Sequence, residues 1–386
     1  MADFRRAGRV GRLPQSFFAG LDAQIAHARA SGVDVIDLSK GNPDLPTPPA
    51  IVEAMQREVA RPENHAYPSF RPRPSVLAAI AERYRIDHGV ELDTTTQIAV
   101  FHGSHEALMA GILAFADPGE TVVLPDPAYP MYHSAALFAG AREVSLPLSE
   151  TDGQPEWEVI DGLESARVLV LNYPNNPTGA VATGATFERA VSVARRLDAL
   201  FVHDFAYASL GFDDGAPLSA LASDPGAERT VELATLSKTY NMAGWRFGFA
   251  VGNASAIAAM RAYQSHAFST IFGATQEAAA VALAGDQSAA EEIVGTYRAR
   301  RDAAVAGLRD AGYAVHRPGG SFFVWIDLPD GTDDAAFAAR LLAEHGVAVA
   351  PGAGFGPRGA GRIRLSLVHP IDILEKAVAR MGAALT

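Results

Sequence analysis

Thr235-Leu236-Ser237-Lys238-Thr239-Tyr240-Asn241-Met242-Ala243-Gly244-Trp245-Arg246-Phe247-Gly248 gathers hydroxyls, one amine, glycines and one arginine within fourteen residues. An apolar run at 231–234 precedes it and reads as a strand. Hydroxyls at Thr235 and Ser237 with the guanidinium of Arg246 are able to hold a phosphate, because arginine donates bidentately. Lys238 lies among them and can bond an aldehyde on the same ligand, which arginine cannot do. Lysine is rare here. Only Lys40, Lys238 and Lys376 occur among 32 basic residues, so an amine in the middle of this segment stands out.

Outward from that segment the pattern alternates. Short apolar runs at 97–101, 121–124, 168–171, 200–203, 231–234 and 247–251 read as strands, separated by helical stretches (from 104, and at 186–197) or long connections. Such runs indicate an α/β fold with a mostly parallel central sheet covered on both faces. Toward the N-terminus, Ser16 heads a helix over 16–31 with Phe17, Phe18, Leu21 and Ile25 on one face. A strand follows at 33–38, then a helix opened by Thr47-Pro48-Pro49 and another over 75–88. Beyond 254 the sequence is alanine-rich and helical to about 311. Strands at 321–327, 347–350 and 362–367 then alternate with a helix near 333–344 and a closing helix, as in a smaller α+β domain. The expected division is 1–45 as an arm and part of the small domain, 46–285 as the large domain, and 286–386 as the small one.

Several strand ends carry polar groups. Asn172-Tyr173-Pro174-Asn175-Asn176-Pro177-Thr178-Gly179 is a proline-fixed turn that can present an asparagine amide at the mouth of the sheet, where parallel-sheet ligands bind. His203-Asp204-Phe205-Ala206-Tyr207 places a carboxylate in an apolar setting that demands a partner. His102-Gly103-Ser104-His105 sits at a strand-to-helix junction, where free N–H groups bind phosphate. Tyr129 lies between prolines in Asp126-Pro127-Ala128-Tyr129-Pro130-Met131-Tyr132 and is placed to stack on a flat ring. Arg362 and Arg364 share one strand face by period two, and one of them can take a carboxylate. Taken singly, each has a plainer reading: a turn, a helix cap, a buried loop aromatic, an edge strand.

Composition narrows the classes. The chain has 386 residues, 48% hydrophobic and 20% charged, which is ordinary globular usage. No apolar run approaches the ~18 residues of a membrane helix. A net charge of −12 without a basic stripe argues against nucleic acid as partner. There is no cysteine, which removes disulfides and thiolate chemistry and fits the cytoplasm. His102 and His105 lack further spaced ligands, so no metal is expected. Arg5, Arg6, Arg9 and Arg12 read as a loose arm.

In this order, from about Leu13 to the end, the segments resemble the fold-type-I, class I/II aminotransferases that use pyridoxal 5'-phosphate. The resemblance implies the PLP-transferase fold and a reaction moving an amino group between an L-amino acid and a 2-oxo acid. It implies that Lys238 is the Schiff-base lysine and proton shuttle, that Asp204 pairs with the pyridinium nitrogen, and that Tyr207 and Asn176 bond the ring oxygen. Tyr129 would stack on the ring. Gly103, Ser104 and His105, joined by Thr235, Ser237 and Arg246, would form the phosphate site. Arg364 would take the substrate α-carboxylate, helped by Gly41 and Asn176. Tyr67 would reach the phosphate of a neighbouring subunit, implying a homodimer with shared active sites. The Gly41–Pro48 and Glu63–Tyr67 stretches are similar to two subgroups, the LL-diaminopimelate aminotransferases and the methionine-salvage enzymes that aminate 4-methylthio-2-oxobutanoate. The segments 203–207, 242–244 and 274–278 look more like the second. Phe17, Phe18, Tyr129 and, from the partner subunit, Phe268, Ser269 and Ile271 are the expected lining of a mainly apolar substrate pocket. A neutral or methionine-like substrate is therefore expected, with LL-diaminopimelate or aspartate amino transfer, or a PLP-dependent C–S lyase, as alternatives.

Overall fold

Val168-Leu169-Val170-Leu171 has no polar face, so a strand built from it must be covered on both sides. In the computed structural model, which describes residues 4–213 and 215–385, all four side chains are buried. Val168 and Val170 face a cluster containing Leu108, Tyr132 and Val202, whereas Leu169 and Leu171 face one containing Phe187 and Phe201. Residues 1–3 of the expected arm and residue 386 of the expected small domain lie outside the described residues.

Val168–Asn172 sits inside a seven-stranded sheet. The spatial order is Ile98–Phe101, Gly248–Gly252, Thr230–Thr235, Leu200–Asp204, Val168–Asn172, Thr121–Asp126, Arg142–Pro147. The last five of these are parallel to one another, with registers such as Leu169↔Phe201 and Phe201↔Thr230. Gly248–Gly252 runs antiparallel to both its neighbours. One sheet edge therefore collects the C-terminal ends Phe101, Asn172, Asp204 and Thr235 and the N-terminal end Gly248. That edge is where polar groups carried on strands can converge without being displayed on a covered face.

A second sheet has four antiparallel strands in the order Ala350–Pro351, Arg362–Ser366, Phe323–Asp327, Ala314–His316. The helices Ser288–Asp310 and Ile371–Gly382 share a hydrophobic cluster with it. Helix Phe17–Ala30 joins this layer through Leu21 against Trp325 and Phe355, and Ser16 caps it by accepting from the Ala19 N–H at 3.4 Å. Asp44 takes Arg300 bidentately at 2.7 and 2.8 Å, which pins the loop beginning at Gly41 to the long helix.

Five features differ from the sequence reading. The alanine-rich stretch divides into Ala254–Ala267, Gly273–Ala284 and Ser288–Asp310. The edge strand Arg142–Pro147 was not anticipated, because its exposed charged start lacks the apolar signature of its neighbours. The strand expected at 33–38 shrinks to Ile36–Asp37, and the expected 347–350 strand splits between pairing with it and joining the antiparallel sheet. Within the arginine-rich arm, Gly8–Gly11 forms one helical turn with no buried residue. No described helix is long and apolar enough to cross a membrane.

Gly248 marks the tightest backbone approach at the sheet edge. A Cβ there would lie 2.5 Å from the Gly103 carbonyl carbon and the Ser104 nitrogen. Gly248→Ala is expected to destabilise the fold by ~1–3 kcal/mol through this collision. The check is the midpoint of urea unfolding; an unchanged midpoint would contradict the packing described.

Candidate active site

The convergent edge and the second sheet enclose a cavity of about 380 Å³. Its lining includes Gly41, Ser104, His105, Tyr129, Asn176, Asp204, Tyr207, Thr235, Ser237, Lys238, Arg246 and Arg364, so the expected site residues meet in one place. Two do not line it. Gly103 backs the cavity at Arg246, and Tyr67 is 97% exposed on this chain and lies off the cavity.

Lys238 follows the Thr230–Thr235 strand on a four-residue helix opened by Thr235, whose hydroxyl accepts from the Ser237 N–H. Its Nζ donates to the Gly41 carbonyl at 2.9 Å. Burial, then the positive charges of Arg246 and Arg364, press its pKa from 10.5 to about 8, while Asp204 opposes. A neutral amine is thereby available near neutral pH, as a nucleophile or base requires.

Asp204 ends its strand almost fully buried. Burial raises its pKa above the ordinary 3.8; the Tyr132 hydroxyl, donating to Oδ2 at 2.8 Å, is the largest opposing influence. The Ala206 N–H bonds Oδ1 at 3.2 Å, a partial form of the helix-cap reading. Asn172 donates to the Asp204 carbonyl at 2.8 Å and accepts from the Asn176 N–H at 2.8 Å, so it ties two neighbouring strand ends together.

Arg364 is 1% exposed. It donates to Asn176 Oδ1 at 2.8 Å and to the Ser39 carbonyl at 2.6 Å, and it lies over the Phe323 ring at 4.0 Å. Its Nε has no partner, and burial lowers its pKa from 12.5 to about 10. A buried guanidinium with no carboxylate beside it among the described residues is a site for an anion. Arg362, on the same strand, is instead tied to Asp327 and Glu150 at the strand's outer end.

The opposite wall can receive a second anion. Helix Ser104–Leu113 points its N-terminus at the cavity, Gly103 has φ +84, and a Cβ on Gly103 would collide with the Arg246 guanidinium. Thr235 Oγ1 bonds the Phe247 carbonyl and Ser237 Oγ, each at 2.8 Å, which holds both hydroxyls at this end. Burial and then Arg246 lower the His105 pKa from its ordinary 6.5, which favours the neutral ring.

Several contributors were not assigned from sequence. Tyr132 lies three residues after Tyr129, and its i+3 spacing was the available signal. Asp22 and Lys40 also line the cavity, beside the expected Phe18; Lys40 is paired with Asp22 at 2.5 Å. Part of the expected apolar lining needs correction. Phe17 packs on Phe355 instead of facing the cavity, and Ile271 is buried in its own chain's core with Leu236 and Met242, so it is not free to enter a partner's pocket. Phe268 and Ser269 are exposed and away from this chain's cavity. No described cluster of His, Asp or Glu could hold a metal ion.

Residues 33–381 match the model of the aminotransferase class I and II family. The chain is 44% identical over 382 residues to the L-glutamine–4-(methylsulfanyl)-2-oxobutanoate aminotransferase of Bacillus subtilis, covering 98% of this chain and 96% of that protein. It is 40% identical over 387 residues to the LL-diaminopimelate aminotransferase of Nitratidesulfovibrio vulgaris, covering 99% and 100%. Among solved structures, substrate-bound BacF from Bacillus subtilis superposes with a TM-score of 0.94 at 36% identity, covering 99% of this chain and 98% of that one. The aspartate aminotransferase of Thermotoga maritima superposes at 0.91 with 30% identity, covering 98% and 100%. The chain belongs to the class I and II aminotransferases, enzymes that use pyridoxal 5'-phosphate to move an amino group between an amino acid and a 2-oxo acid. The cavity fits that cofactor on its own features: a buried amine and a buried carboxylate lining one cavity, a glycine-backed helix N-terminus beside an arginine, and a buried guanidinium that has no carboxylate partner among the described residues.

In the cofactor-free protein Lys238 is expected to titrate near pH 8, being charged below and neutral above. Its modification by an amine-selective reagent, followed by peptide mass spectrometry, should speed up to about pH 8 and then level. A rate still climbing toward 10.5 would contradict the depressed pKa.

Proposed function

We propose that Lys238, Asp204 and Arg364 carry amino transfer in this chain and that the preferred substrate side chain is neutral and methionine-like. The observation that carries the substrate reading is the fate of the cations around the cavity. Arg364 is assigned to the α-carboxylate, Arg246 to the phosphate and Lys238 to the reaction. Lys40 is paired with Asp22 at 2.5 Å and lies 3.8 Å from Asp37. His105 is kept toward its neutral form by burial and by Arg246. Among the described lining residues, none is left to receive a distal carboxylate, while Phe18, Leu108 and Tyr129 supply apolar surface. The Bacillus subtilis relative whose name includes 4-(methylsulfanyl)-2-oxobutanoate supports this reading. The similarity to an LL-diaminopimelate enzyme supports the reaction class and leaves the charged distal group of that substrate without a partner here.

When bound, pyridoxal phosphate supplies an aldehyde carbon for the amino group and a ring that withdraws electron density from the substrate Cα. Arg364, with Asn176 and the Gly41 backbone, would fix the α-carboxylate. Lys238, with its lowered pKa, would take the proton from the substrate Cα and serve as the proton shuttle of the transfer. Asp204 holds a proton at the ring nitrogen, and Tyr132 aims the carboxylate. Tyr207 and Asn176 would donate to the ring oxygen, and Tyr129 would cover the ring. Gly103, Ser104, His105, Thr235, Ser237 and Arg246 enclose the phosphate.

The large and small domains are assigned to 46–285 and 286–386, with 1–45 joining the small one. This division is supported by helix Phe17–Ala30 packing on the antiparallel sheet. A homodimer with Tyr67 of the partner subunit at the phosphate is supported by the exposure of Tyr67, Phe70 and Phe268 on this chain. The cytoplasm is the expected compartment for this cysteine-free composition.

The test is a titration of the cofactor-loaded enzyme with single L-amino acids, without added 2-oxo acid. Methionine and glutamine should each release one equivalent of 2-oxo acid per site and should exceed aspartate and LL-diaminopimelate about 10-fold or more in kcat/KM. Lys238→Ala should lower the rate by at least ~10²–10⁴-fold. Preference for aspartate or LL-diaminopimelate would overturn the substrate reading. Product accumulating beyond one equivalent, with ammonia, would point to a lyase.

A further inference from the structure

Behind Asp204, on the opposite face of its strand as period two requires, lies a buried polar pair that the reaction described above does not use. His203 and Glu232 are adjacent in register on neighbouring strands, and both side chains are fully buried. His203 Nδ1 lies 2.7 Å from Glu232 Oε1, and Nε2 lies 3.0 Å from the Tyr173 carbonyl. The ring packs against Phe187 and Phe205 at 4.7 and 4.8 Å.

Hydrogen-bond accounting fixes the charge of this pair. A carbonyl oxygen only accepts, so Nε2 must carry a proton. The Glu232 carboxylate receives the Ala220 N–H at 2.8 Å and the Ser219 hydroxyl at 2.6 Å, and Ser219 Oγ itself accepts from the Leu221 N–H. Those donors favour the ionised carboxylate over a neutral carboxyl that would itself donate to Nδ1, and beside the ionised form Nδ1 donates as well. Burial would raise the Glu232 pKa, but the hydrogen bond and charge from His203 outweigh it and keep the group below its ordinary 4.5. The other titratable neighbours, both on helix Pro74–His88, do not replace His203 as counter-ion. Burial lowers the His88 pKa despite Glu232, and burial together with Glu232 holds the Tyr84 hydroxyl protonated.

We propose that His203 donates from both ring nitrogens, to Glu232 and to the Tyr173 carbonyl, and that the resulting positive charge, one residue from Asp204, keeps that carboxylate ionised, so that His203 and Glu232 act as positioning residues for the proton on the cofactor's ring nitrogen. The inference rests on Asp204 being the ring nitrogen's partner. Among the influences that offset the burial of Asp204, the charges are those of His203 and Lys238. Lys238 gains and loses a proton in each turnover. His203 is walled in by acceptors on both ring nitrogens, and losing either proton would strand one of them at a cost of about 1–3 kcal/mol. Unlike Lys238, His203 takes no part in the proton transfers of the reaction.

Neutron diffraction from the deuterium-exchanged holoenzyme near pD 8 tests the charge directly. Deuterium is expected on both ring nitrogens of His203 and on neither oxygen of Glu232; a single ring deuterium, or one on Glu232, overturns the proposal. The role is tested by His203→Gln, which keeps one N–H donor and removes the charge. It should lower kcat about 10-fold, the worth of one pKa unit, leave KM for the amino donor within about 2-fold, and move the acid limb of the kcat–pH profile upward, because Asp204 would then ionise at higher pH. An unchanged kcat and profile would overturn the role. If the variant does not fold, the neutron result decides alone. Asp204→Asn separates the two readings: retained activity would remove the premise about Asp204, whereas its loss beside an unaffected His203→Gln would remove only the role of His203.

Discussion

Burial of charge around one cavity is the constraint on which the rest of the structure depends. Lys238, Asp204 and Arg364 are withdrawn from water with incomplete pairing, and each departs from its ordinary pKa in the direction that burial imposes. Such groups are costly in a fold that has nothing to place between them. They are tolerable where an anionic, aromatic ligand with its own proton-bearing nitrogen completes the set.

The sheet makes this arrangement possible. Parallel strands deliver Asn172, Asp204 and Thr235 to one edge, and the single antiparallel strand brings Gly248 against Gly103 there. Hydrogen bonds across that edge, from Tyr132 to Asp204 and from Asn172 to its neighbours, lock the polar groups before any ligand arrives. Arg364 comes from the other sheet and closes the cavity through Asn176. Fixing the reacting groups in advance is what makes such a site effective, since little reorganisation is left for the reaction step.

Local chemistry was legible in the sequence, and long-range packing was not. Lys238 stood out because it is one of three lysines and sits among hydroxyls. Asp204 and Asn176 stood out because they follow apolar strands. Tyr132 bonds Asp204 across 72 positions, a contact that only the sheet order creates. Lys40 looked unremarkable until helix Phe17–Ala30 placed Asp22 beside it, and that pairing changes which substrates the cavity favours. Ile271 was expected in a pocket on the basis of its apolar neighbours, yet it is buried in its own core. Arg142–Pro147 escaped notice because an edge strand with exposed polar residues carries no apolar run. For Tyr132 and Ile271 the deciding partners lie well away in sequence, so local periodicity does not identify them.

The central claim is that Lys238 is the amine that holds the cofactor. Borohydride reduction of the holoenzyme fixes the cofactor to whichever amine it bonds, and peptide mass spectrometry then locates it. With only Lys40, Lys238 and Lys376 available besides the N-terminus, the answer is unambiguous. The account predicts the phosphopyridoxyl mass on the peptide containing Lys238; its appearance on Lys40 or Lys376, or on no lysine, would contradict it.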